Sequence, residues 1–187
     1  MSCAADPPIV TPIQEDMMMT ADTDLLVTRQ GVRLHVRRVR ADDEAELAAF
    51  FARVSPEDLR FRFLTSVRTV TQERLAGMIH ADDASGESLI AFADDGSILA
   101  AAMLAGDRAA KTAEAAIAIR SDMKQRGIGW TLLDHLVAHA KRLGYHTIEA
   151  IEDRANRSAI TIEREMGFEP HPVEGDPTLV RLTRTVG

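Results

Sequence analysis

The period of the apolar residues changes several times along this chain, and each change marks an element. From Val32 to Val39 they alternate, with Val32, Leu34 and Val36 on one face and Arg33, His35, Arg37 and Val39 on the other, as in a half-buried strand. A shorter apolar run, Leu25 to Val27, precedes it across Gln30 and Gly31. Three helix starts follow. Asp42 is placed to cap a helix whose stripe is Leu47, Phe50 and Phe51. Ser55, with Pro56 at the first helical position and Asp58 three residues on, opens a second helix carrying Leu59, Phe61, Phe63 and Leu64. Its interleaved Arg60 and Arg62 read as solvated side chains of a packed helix. Thr71 to Arg74 opens a third, with Leu75, Met78 and Ile79 on its apolar face.

Strand patterns return over residues 88–93 and 98–105, joined by the hairpin sequence Asp94-Asp95-Gly96-Ser97, and again over 113–119. The strongest helical period lies just beyond. Ile128, Leu132, Leu136, Ala140 and Leu143, with Leu133 and Val137 beside them, form a buried face, and His135, His139 and Arg142 fall opposite as surface residues. Gly144-Tyr145 ends this helix. A strand over 146–151, a helix over 156–166 broken at Gly167-Phe168, and a last strand over 178–183 complete the chain. The order predicts an α+β fold, a mixed and mostly antiparallel central sheet flanked by helices on both faces.

With 187 residues and 45% hydrophobic content the chain holds one full core, which assigns residues 24–187 to a single domain. Residues 1–23 have prolines, acidic residues and the run Met17-Met18-Met19 but no period, and read as a disordered or loosely docked tail. There is no apolar run of membrane-spanning length and no basic, apolar leader pattern, so a cytoplasmic protein without a membrane partner is expected. The single cysteine, Cys3, builds neither a disulfide framework nor a cysteine metal site. No metal is expected elsewhere. His135 and His139 lack the metalloprotease signature because position 136 is leucine, and His80, Asp82 and Asp83 are adjacent loop residues that do not converge on one ion. A net charge of -7 counts against nucleic acid as the main partner and suits an amine or a basic protein surface.

Chemistry concentrates between strand and helix in the middle of the chain. The loop Lys124-Gln125-Arg126-Gly127-Ile128-Gly129 opens a helix, so free backbone N–H groups and the positive end of the macrodipole meet there, a setting that binds phosphate. The glycines equally serve tight turns and close packing. Glu114 is the one carboxylate inside the preceding strand, with Ala113, Ala115 and Ala116 around it. Apolar flanks would raise its pKa into the range of a general base, and the alternative is a strand-end glutamate that faces solvent or pairs with Arg120. Glu152-Asp153 at the strand end is either a carboxylate pair or, equally, a solvated turn.

The loop resembles the acyl-CoA loop of the GNAT N-acetyltransferase family, usually Gln/Arg-x-x-Gly-x-Gly/Ala, with Lys124 in the Gln/Arg position. Residues 36–43 and 50–63 resemble the opening of GNAT domains in the bacterial Pat-like protein lysine acetyltransferases, so the likeness spans about residues 32–170. The resemblance implies a GNAT fold, acetyl-CoA as acyl donor, and a primary amine as acceptor, either a small molecule or a protein lysine. It makes Glu114 the general base, lays Ile117, Ala118 and Ile119 along the pantetheine, and gives Lys124, Gln125, Arg126, Gly127, Ile128, Gly129 and Trp130 to the pyrophosphate loop. Trp130 is either core packing or a wall against the cofactor. Asn156 matches a family asparagine that contacts the cofactor, and it is equally suited to capping its helix. Glu163 stands where the family's Tyr-x-x-x-Gly-Phe ending has tyrosine, which leaves the thiolate to water or to no dedicated acid. A catalytically silent acyl-CoA-binding module remains the alternative. The acceptor site is expected from the first helices and the 169–177 connection, and a homodimer is left open.

Overall fold

Strand β2 (Arg33–Arg38) buries Leu34 and Val36, as its alternation predicts, and leaves Arg33 and Arg38 exposed with Arg37 half-buried. It pairs antiparallel with β1 (Asp24–Val27) on one side and β3 (Glu87–Phe92) on the other. β3 turns through Gly96, at φ +79°, into β4 (Ile98–Asp107), and β4 pairs antiparallel with β5 (Thr112–Ile119). The computed structural model describes residues 23–65, 69–79, 86–107 and 109–187. Nearly all of the expected tail, with Cys3 and Met17–Met19, and the His80, Asp82 and Asp83 cluster lie outside them.

β6 (Thr147–Asp153) runs parallel to β5, and such a connection needs a crossover, here α4 (Ile128–Arg142). The pairing covers only Thr112 to Glu114 against Thr147 to Glu149. Beyond it β5 stays on β4, while β6 continues along β8 (Asp176–Thr185) as far as Asp153 opposite Leu179. The sheet therefore forks past Glu114. Its described strands run β1-β2-β3-β4-β5-β6-β8-β7. The edge strand β7 (Glu169–Val173) replaces the connection expected there, because Pro170 and Pro172 mask a strand pattern that an edge tolerates.

Helices α1 (Glu44–Phe51), α2 (Pro56–Phe63) and α3 (Gln72–Ile79) bury Leu47, Phe50, Phe51, Leu59 and Leu75 against Ile90, Ile98, Ala101 and Ala118. On the opposite face Ile128, Leu132, Leu136 and Phe168 pack with Ala100, Ala113, Ile148 and Leu182, beside α5 (Arg157–Glu165). The α+β layering is as expected, with three local corrections. The acid that anchors α1 is the buried Asp43, which accepts from Arg40 N–H at 2.7 Å and from both ends of the Arg37 guanidinium at 2.7 Å, while Asp42 is exposed. His135 and His139 are half-buried rather than surface residues. Their rings stack 6.2 Å apart, with Asp24 and Glu87 as acidic neighbours. Leu143 closes α4 as its C-cap and is 36% exposed, so the buried stripe ends at Ala140.

Candidate active site

Past the fork, the edge of β5 that faces β6 has no strand against it among the described residues, and a groove opens there. The space along it, open solvent at its mouth included, is about 930 Å³. Glu114 to Ile119 of β5 form one wall and Ile151 and Glu152 of β6 another. Helix α2 adds Asp58, Phe61 and Arg62, the glycine loop adds Lys124 and Gly129, and α5 adds Asn156, Ala159, Ile162 and Glu163. Backbone groups along β5 are thus presented to a ligand as they would be to another strand.

The loop is built by two special backbone positions. Gln125 has φ +59° and Gly127 has φ +77°, so the chain enters α4 through the left-handed region, where glycine carries no penalty. Gly127 is the N-cap and provides no side-chain acceptor to the first-turn N–H groups of α4, which leaves them for an anion. A Cβ on Gly127 would lie 3.3 Å from Thr28 Cβ, and one on Gly129 would lie 3.3 Å from Ile119 Cδ1 and 3.6 Å from Ile162 Cδ1. Gly129 therefore also serves close packing of α4 against β5 and α5.

Not every residue assigned to the loop faces the groove. Ile128 is core, 1% exposed, and Trp130 packs half-buried against that core beneath Arg29, whose guanidinium carbon is 4.4 Å from the ring centroid. Gln125 and Arg126 are exposed. Lys124 lines the groove, but its Nζ donates to Asp58 Oδ1 at 2.5 Å, so α2 holds that charge. Ile117, Ala118 and Ile119 stand along the open β5 edge.

Glu114 does not pair with Arg120. That arginine is 8% exposed and turns to Asp122 at 2.7 Å, Ser97 Oγ at 3.3 Å and the Ile98 carbonyl at 3.4 Å. Loss of water around Glu114 raises its pKa, and Glu149 raises it further, against the opposing charges of Arg62 and Arg181. Arg62 is not solvated as expected. It is half-buried, with Nη2 3.8 Å from Met103 Sδ, and burial lowers its pKa to about 10 against the pull of Glu114 and Glu152.

Asn156 caps α5, accepting from Ala159 N–H at 3.5 Å, and donates its amide to Glu152 Oε2 at 2.7 Å. Glu152 and Asp153 are therefore not a solvated turn. Asp153 is ion-paired with Arg60, and Glu152 lines the groove opposite Glu163. Glu163 is 5% exposed, and its Oε2 has no hydrogen-bond partner among the described residues. Burial raises the pKa of both carboxyls. In Glu152 the Asn156 amide and Arg62 oppose the rise, whereas in Glu163 its neighbour Glu152 adds to it. This pair was missed in the sequence. The available signal was a glutamate between Ile162 and Met166 on the apolar stripe of α5.

A family model described as the acetyltransferase (GNAT) family matches residues 46–168. An acetyltransferase of Pseudomonas aeruginosa is 24% identical over 141 residues, which is 74% of this chain and 76% of that protein. The crystal structure of the GNAT domain of S. lividans PAT superposes with a TM-score of 0.80 at 23% identity, covering 87% of this chain and 96% of that one. A spermidine N-acetyltransferase from Vibrio cholerae, in complex with CoA and spermine, superposes with a TM-score of 0.67 at 16% identity, covering 81% and 95%. No helix among the described residues is long and apolar enough to cross a membrane.

Proposed function

The chain belongs to the GNAT acetyltransferase family, and on that premise we propose that it transfers the acetyl group of acetyl-CoA directly to a primary amine with Glu114 as general base. The observation that carries this reading is the position of Glu114. It is the last β5 residue paired with β6, it stands at the apex of the fork, and it is the carboxylate of β5 in the groove. Its raised pKa suits a base that collects a proton from an ammonium near neutral pH.

The residues present fit the donor. The uncapped first turn of α4 and the glycine at its N-cap suit a pyrophosphate, and the open β5 edge suits the amides of pantetheine. Bound acetyl-CoA supplies the activated acyl carbon. Glu114 takes a proton from the amine, directly or through water. The nitrogen then attacks the thioester carbonyl, a C–N bond forms and the C–S bond breaks. Backbone N–H groups of β5 past the fork are the donors available to the developing oxyanion.

Among amines, a protein lysine is the favoured acceptor. The likeness to Pat-like domains runs through residues 36–63, which include α1 and α2, and α2 forms one wall of the groove. A small polyamine is the second reading, supported by the similarity to the spermidine N-acetyltransferase. A donor drawn from the acetyl-CoA pool fits a cytoplasmic setting. The test is calorimetry with acetyl-CoA, followed by acetyl transfer to lysine-containing peptides and to spermidine by native protein and Glu114→Gln. Binding retained with transfer abolished supports the base assignment. Equal transfer by the variant overturns it, and binding without any transfer by the native chain supports the silent module.

A further inference from the structure

We propose that Glu163 is the acid that protonates the sulfur of coenzyme A as it leaves, drawing on a proton shared with Glu152. The inference rests on the acetyl-transfer reading of the groove. Its starting observation is independent of that reading: a glutamate 5% exposed, on the wall of the same groove as Glu114, with an oxygen that meets no partner among the described residues.

A buried carboxylate with no donor and no cation is costly, so the group stays protonated. The charged groups around the groove fix where that proton sits. Glu152 on β6 receives the Asn156 amide and is favoured as the anion by Arg62 of α2. Glu114 on β5 faces Arg62 as well, and Asp58 and Lys124 are spent on each other. Glu163 is left with Glu152 alone, and two adjacent carboxyls do not both ionise. Glu163 is thus the neutral member, an O–H donor on the α5 wall of a groove whose β5 wall past Glu114, Ala115 to Ile119, is apolar.

The proton balance closes. Glu114 takes one proton from the ammonium and passes it to water. The nitrogen attacks, and the C–S bond breaks with its electron pair on sulfur. Glu163 gives its proton to that sulfur and becomes a carboxylate, and the second proton of the acylated nitrogen returns to the pair through water. The products are the amide, free thiol and one released proton.

The experiment uses the full chain with acetyl-CoA and, as acceptor probes, a lysine-containing peptide and spermidine, with transfer read as thiol release across pH. In the native protein kcat should fall on the alkaline side as the pair ionises. Glu163→Gln keeps the shape and the CoA affinity, measured by calorimetry, but should lower kcat at least about tenfold and lose the alkaline limb. Glu163→Tyr should restore activity with the limb moved upward. Glu152→Gln removes the neighbouring charge and should move the limb downward, which keeps the test open if position 163 does not tolerate change. The infrared carbonyl band of a protonated carboxylic acid should be present near neutral pH and absent from Glu163→Gln. Native-like kcat and an intact alkaline limb in Glu163→Gln, or an unmoved limb in Glu152→Gln, overturn the proposal while leaving the acetyl-transfer reading in place. A native chain that binds acetyl-CoA and acetylates neither probe overturns both.

Discussion

Asn156 donates its side-chain amide to Glu152 Oε2 at 2.7 Å, which ties the N-terminus of α5 to the end of β6 across the mouth of the fork. Its carbonyl oxygen is occupied as well, by the N–H of Ala159. Both polar ends of the residue therefore hold the groove wall in shape. Asn156→Ala should lower the unfolding free energy by about 1–2 kcal/mol, and Asn156→Ser, which keeps a capping oxygen, by less. Urea unfolding at neutral pH checks the order, and equal losses would mean that the cap contributes little.

The acid limb of kcat/KM reports on Glu114. Because burial raises its pKa, with Glu149 adding to the rise, activity should climb with pH through a midpoint above that of an ordinary glutamate. Arg62 works in the opposite direction. Arg62→Met, packed beside Met103, should push the midpoint higher still, with the fold retained by circular dichroism. A pH profile with its acid limb near 4, or one that Arg62→Met leaves in place, would contradict this electrostatic account.

The two glycines of the loop should respond differently to alanine. Gly127 sits at φ +77° with Thr28 Cβ 3.3 Å from the position of an added Cβ, so Gly127→Ala should cost about 1 kcal/mol of stability or more. Gly129 is helical, and an added methyl meets only the Cδ1 ends of Ile119 and Ile162. Better helix propensity offsets that crowding, so Gly129→Ala should stay within about 0.5 kcal/mol of native. It lines the groove, however, and acetyl-CoA binding by calorimetry should weaken several-fold. Unchanged affinity in that variant would reduce Gly129 to a packing residue.

How much of this was legible in the sequence follows from what periodicity can carry. Period two and period 3.6 gave the meander, the long helix α4 and the Ser55 cap, because each of those is decided locally. Glu114 was legible for a similar reason, as a charge among alanines. Arg62 and Glu163 were not. Whether an arginine between phenylalanines is solvated depends on what stands across from α2, and whether a glutamate on α5 is paired depends on β6, ten residues or more away. Strand β7 was hidden by its prolines, and the half-buried histidines of α4 by acidic neighbours on β1 and β3.

The opposite linkage holds at the start of α1. Arg37 grips Asp43 with two 2.7 Å hydrogen bonds, and the donors from Arg37 and Arg40 outweigh its burial, so its pKa is lowered. A lowered folded-state pKa contributes stability above the unfolded value and loses it as pH falls through the folded one. Asp43→Asn should therefore destabilise the protein near neutral pH, by about 1.5–3 kcal/mol, the worth of a hydrogen bond to a charged group. The gap to native should close as the pH is lowered below 4, which chemical unfolding at a series of acid pH values measures. A gap that stays constant would assign the effect to packing.

The Glu152–Glu163 pair makes stability depend on pH in the other direction. Both groups have folded-state pKa values raised above those of the unfolded chain, chiefly by burial. Between the two values the native state binds more protons than the unfolded state, so unfolding free energy falls as pH rises. Stabilisation is complete below the unfolded glutamate value near 4.3 and declines from there through the neutral and alkaline range as the folded groups ionise. Glu163→Gln removes one titrating group and leaves Glu152 with its Asn156 amide and Arg62, which flattens the slope and makes the variant at least as stable as native on the alkaline side. Thermal or urea unfolding from pH 5 to pH 9 decides it. Parallel curves for the two proteins would mean that Glu163 ionises in the folded state as readily as it does in the unfolded chain.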